Sequence, residues 1–145
     1  MIPICFEIHW TVLVGIIVSL LILIYVFLFR KSKKIKAQRD AYAIKQWKSI
    51  SKLWGQKSPE AYKLAIIEAD KLLDYVFKKM QFSGADFGER LRGACHRYDF
   101  LKDIWFAHNL RNDIVHKSYF ELSPSAANKA LHFYERALDR MGFLE

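Results

Sequence analysis

One short stretch, Ala107-His108-Asn109-Leu110-Arg111-Asn112-Asp113-Ile114-Val115-His116, gathers the side chains whose types and spacing can do chemistry. Arg111 carries a planar fork of donors that grips two oxygens of a phosphate or carboxylate at once. An imidazole such as that of His116 exchanges protons around neutral pH, which suits general acid and base work. Asn112 can orient either the imidazole or a bound oxyanion. Four residues separate Arg111 from His116, and five steps of about 100° set them about 140° apart on an ideal helix. A site that uses both therefore sits at a loosened helix end or is completed by a second copy of the chain.

Structural roles stand open for the same residues. Arg111 can pair with a buried acid on another helix, Glu68 or Asp70, and His116 can cap a helix C-terminus. Asp113 reads as solvated, and an acid there disfavours a phosphate. His96, His108 and His132 are scattered at spacings that suit packing or the surface rather than metal ligation. The chain holds no glycine-rich phosphate loop, Cys-x-x-Cys, His-Glu-x-x-His or nucleophile elbow, so neither metal nor cofactor is expected.

The elements that must position these groups follow from length and charge. With 145 residues there is room for one small domain, and 52% apolar content excludes a disordered basic tail. The net charge of +8 is uneven: −1 over 1–29, ten bases and one acid over 30–57, and thirteen of each over 58–145. The domain beyond residue 57 is thus neutral, and the high pI is no argument that it attracts polyanions.

Residues 10–29 are twenty in a row without a formal charge, about 30 Å of helix, which predicts a transmembrane helix. No Lys or Arg precedes it, whereas Arg30, Lys31, Lys33, Lys34 and Lys36 follow. The positive-inside tendency then sets the short N-terminus, 1–9, outside and the C-terminal domain in the cytoplasm of a single-pass protein. The five bases are expected to meet anionic lipid headgroups. Cys5 and Cys95 would lie on opposite sides and could not pair.

Residues 30–57 read as a basic juxtamembrane helix or linker, with Ala43, Trp47, Ile50 and Trp54 on one stripe able to pack. The expected class is all-α: a single transmembrane helix, this basic helix, and an antiparallel four-helix bundle over 58–145. Ser58-Pro59-Glu60 opens the first bundle helix, which runs to about Met80, and Ser123-Pro124 opens the last, to about Met141. Between them a helix is predicted over about 86–96 and another over about 99–116.

In these words the sequence resembles the HEPN superfamily of small α-helical bundles, many of them metal-independent RNases. The family's mark is Arg, usually followed by Asn, Asp or His, then His after four to six residues near the end of the third core helix. Arg111-Asn112-Asp113-Ile114-Val115-His116 fits it. Ala65-Ile66-Ile67-Glu68-Ala69-Asp70-Lys71-Leu72-Leu73 and Ile104-Trp105 are also similar to HEPN helices. The resemblance covers about 58–144. It implies a homodimer in which two motifs meet, with RNA cut by attack of a ribose 2′-OH on the adjacent phosphate, and catalytic roles for Arg111, His116 and Asn112. It also permits a bundle without catalysis that binds a protein or nucleotide, and a partnership with an antitoxin or a nucleotidyltransferase.

Overall fold

The computed structural model describes the backbone of residues 4–34 and 40–144, with side chains for Trp10, for 12–26 and for 40–144. The regular structure of these residues is helical, with no strand among them, as the all-α expectation requires. They form two compact units that divide between residues 38 and 39.

The first unit holds α1 (Ile4–Lys34), and here the expectation is corrected. Among the described residues no helix is long and apolar enough to cross a membrane, so the transmembrane helix expected at 10–29 is withdrawn. The described side chains of α1, Trp10 and those of 12–26, are exposed. The side chains of Arg30, Lys31, Lys33, Lys34 and Lys36, the expected lipid contacts, lie outside the described residues, as does that of Cys5. The expected orientation rested on the span and goes with it.

The second unit contains α2 (Ala41–Gly55), α3 (Pro59–Lys79), α4 (Phe87–Arg97), a 3-10 turn (Asp99–Leu101), α5 (Ile104–His116) and α6 (Pro124–Arg140). The bundle therefore has five α-helices, not four, and begins well before residue 58. Asp40 explains the difference. Its Oδ1 accepts from the backbone N–H groups of Tyr42 (3.0 Å) and Ala43 (3.3 Å), starting α2 afresh. Its Oδ2 accepts from Tyr75 Oη (3.0 Å) and Lys79 Nζ (2.9 Å) of α3. One carboxylate both caps α2 and ties it to its neighbour. The expected stripe supplies the packing: Ala43, Trp47 and Ile50 are buried, and Trp54 Nε1 donates to Asn128 Oδ1 on α6 at 2.6 Å.

The two Ser-Pro starts act as predicted. Ser58 Oγ accepts from the Ala61 N–H and Ser123 Oγ from the Ala126 N–H, each at 3.2 Å. The single helix expected over 99–116 is divided into the 3-10 turn and α5. α3 is the central element, packed against α2, α4, α5 and α6. Its Ile66, Leu73, Val76 and Phe77 are fully buried with Leu91, Leu101, Ile104, Leu131 and Leu138 of the surrounding elements. Burial of each such side chain stabilises by about 1.5–3 kcal/mol. One acid, Asp70, sits in this apolar face of α3 and is only 4% exposed.

Candidate functional site

Asp70 is where the candidate residues converge. An ionised carboxylate can be kept this deep only if donors surround it. Three elements supply them. Tyr134 of α6 donates from Oη to Asp70 Oδ1 at 2.8 Å, and His108 Nδ1 of α5 reaches the same oxygen at 2.9 Å. Arg111 Nε lies 3.5 Å from Oδ2, an ion pair without a hydrogen bond. Burial, then the charge of Asp70, pushes the Tyr134 hydroxyl well above its ordinary value of 10, so it remains a donor.

Asn112 closes the circuit on the outer side. Its Oδ1 accepts from Arg111 Nη1 at 3.1 Å, and its Nδ2 is 3.3 Å from His108 Nε2. Both His108 contacts are satisfied together when the proton is on Nδ1: that nitrogen donates to Asp70, and Nε2 accepts from the amide. The spacing on α5 makes this geometry available, since 108, 111 and 112 are related by i, i+3 and i, i+4 and share a face. Arg111 and Asn112 are half-buried at the surface of the bundle. Arg111 Nη2 makes no hydrogen bond to the described residues.

His116 is not part of this group. α5 runs unbroken to it, so the separation of about 140° around the axis stands, with about 7.5 Å along it. Its side chain is exposed in the last turn and makes no hydrogen bond or ion pair among the described residues. The structure thus brings together Arg111 and Asn112, of the residues expected from sequence, and leaves His116 apart on the same helix. Asp113 is paired with Lys117 Nζ at 2.7 Å, which offsets the acid beside the site. Of the two acids foreseen as partners for Arg111, Asp70 takes the role, while Glu68 is held by Lys71 at 2.8 Å.

Sequence reasoning missed His108, read as a packing or surface residue, and did not single out Tyr134. The signal for His108 was its i, i+4 relation to Asn112. Nothing local points to Tyr134. The net charge of the folded unit also differs from the neutrality expected. The unit from Arg39 onward holds eighteen Lys and Arg against fourteen Asp and Glu, a net +4, because it includes α2 with Lys45, Lys48 and Lys52 and no acid. On the opposite flank of α6, Lys129 lies over the rings of Phe106 (4.8 Å) and Phe133 (5.7 Å), and Arg140 over Phe100 (5.2 Å). Among the described residues no three His, Cys, Asp or Glu side chains are grouped to hold a metal ion. No protein family, curated protein or solved structure matches the chain.

Proposed function

We propose that the helical bundle is a HEPN-like endoribonuclease that works without a metal and is completed by a second copy of the chain. The observation that carries this reading is the mounting of Arg111: Asp70 holds its Nε side and Asn112 its Nη1, leaving Nη2 without a hydrogen bond at the surface. A guanidinium so held is preorganised for the non-bridging oxygens of a phosphodiester as negative charge grows on them. The ribose 2′-OH attacks phosphorus, the P–O5′ bond breaks, and the products end in 2′,3′-cyclic phosphate and 5′-OH. His116 of the second copy takes the 2′-OH proton or delivers one to O5′. The +4 charge of the folded unit supports a polyanionic substrate, contrary to the neutrality expected when α2 was counted outside it.

The test is to incubate the purified full chain with single-stranded RNA in EDTA and analyse the new ends. Cleavage to 2′,3′-cyclic ends, reduced about 100-fold or more in Arg111→Ala and in His116→Ala, is expected. Wild-type activity no greater than that of either variant would remove the enzyme reading. A second reading, a bundle that binds protein or nucleotide without catalysis, is favoured by the same Asp70 contact, which would make Arg111 an internal strut. It predicts no cleavage by any of the three proteins and a fold destabilised by Arg111→Ala.

A further inference from the structure

His108, which has no part in the chemistry above, bridges Asp70 and Asn112. Its side chain is 12% exposed and wedged between the rings of Phe87 on α4 (4.8 Å, edge on) and Trp105 (6.2 Å). It cannot swing away, and its two nitrogens are committed to groups of opposite need. Nδ1 donates to Asp70, which leaves Nε2 as an acceptor for Asn112 Nδ2. That single acceptor decides which way the Asn112 amide faces. With Nδ2 turned to His108, Oδ1 faces Arg111 and receives Nη1; turned the other way, an N–H would oppose the guanidinium's own donors and the bond would vanish.

We propose that His108 is a positioning residue: by presenting Nε2 as an acceptor it fixes the Asn112 amide, and through it the plane of the Arg111 guanidinium, as a clamp for a phosphate oxygen. The inference takes its meaning from the endoribonuclease reading, but the clamp is measurable without any cleavage. Asp70 acts through His108 on one side and directly on Arg111 Nε on the other, so the circuit Asp70, His108, Asn112, Arg111 closes on itself. Loss of any one link frees the guanidinium to rotate about its last bonds.

The experiment is nuclear magnetic resonance on the 15N-labelled full chain with inorganic phosphate as the probe. In wild type, His108 is expected as the Nδ1–H tautomer, the Arg111 Nε–H signal as resolved and slowly exchanging, and that signal as shifting on phosphate addition. His108→Phe keeps the ring between Phe87 and Trp105 but removes both polar links. It is expected to broaden the Arg111 signal and weaken phosphate binding about tenfold, the scale of one ordinary hydrogen bond. His108→Gln, which restores an acceptor near Asn112, should recover part of that loss. If His108→Phe is poorly folded, His108→Asn provides the comparison, since it keeps a donor near Asp70 but is too short to bring an acceptor to Asn112, and should match the tenfold loss. The proposal is overturned by an Nε2–H tautomer in wild type, by absence of a phosphate-induced shift, or by wild-type affinity in His108→Phe or His108→Asn. A chain that meets every one of these expectations yet cuts no RNA would support the clamp and defeat the endoribonuclease reading.

Discussion

Asp70 is the residue on which structure and candidate chemistry both depend. A carboxylate 6% exposed at its side chain accepts from Tyr134 and His108 and faces the Arg111 guanidinium, so three groups from α5 and α6 are fixed by one acid on α3. Removing it leaves a buried hydroxyl, an imidazole N–H and a partly buried cation without their acceptor. Asp70→Ala is therefore expected to destabilise the bundle by about 3–5 kcal/mol, read as the midpoint of urea unfolding. Tyr134→Phe removes one donor while leaving others on Asp70, so the loss should be nearer 1 kcal/mol. A wild-type midpoint for Asp70→Ala would mean that the acid is not the keystone its contacts suggest. The contrast between the variants matters for function as well, because Tyr134→Phe leaves the His108, Asn112 and Arg111 links in place and should leave phosphate binding nearly intact.

At the scale of elements, Asp40 decides where the bundle starts. Burial pushes its carboxyl up, but the hydrogen bond from Lys79, the Ala43 N–H and the Tyr75 hydroxyl outweigh this and hold it below its ordinary 3.8. A carboxyl depressed in the folded state adds stability that is present above about 3.8 and is lost as pH falls through the lower folded value. Asp74 behaves alike: burial raises it, and Arg90 and Lys78 lower it by more. Unfolding midpoints should therefore hold level at neutral pH and fall in acid below about 4, with a shallower fall in Asp40→Asn. At neutral pH Asp40→Ala should lose about 1–2 kcal/mol as the cap goes, and a midpoint unmoved by the change would detach Asp40 from this role. The same element shows what sequence could tell. Ser58-Pro59 and Ser123-Pro124 were legible because a cap and the helix it opens are neighbours in the chain. The stripe Ala43, Trp47, Ile50 and Trp54 was legible too, but not what holds this helix, since Tyr75 and Lys79, which bind Asp40, and Asn128, which accepts from Trp54, lie far along the sequence. The site divides on the same line. Arg111, Asn112 and His116 stand out by type and spacing, whereas His108 and Tyr134 acquire their roles only from Asp70 on another helix.

For the whole molecule, the proposed endoribonuclease must explain how residues on different sides of α5 could serve one phosphate. Within one copy they cannot, because Arg111 is turned inward to Asp70 while His116 lies exposed about 140° around an unbroken helix. A two-fold pair removes the difficulty by setting Arg111 of one copy opposite His116 of the other, and it generates two equivalent sites. This arrangement has a consequence that a site within one copy does not share. Mix Arg111→Ala with His116→Ala, each inactive alone, and allow the copies to exchange. In a mixed pair one site lacks both groups, but the other takes its arginine from the His116→Ala copy and its histidine from the Arg111→Ala copy, and is whole. With equal amounts about half of the pairs are mixed, each with one working site of two, so about a quarter of wild-type RNA cleavage should return. No recovery, although sedimentation shows that the copies pair and exchange, would place both residues' contributions within a single copy or outside the reaction.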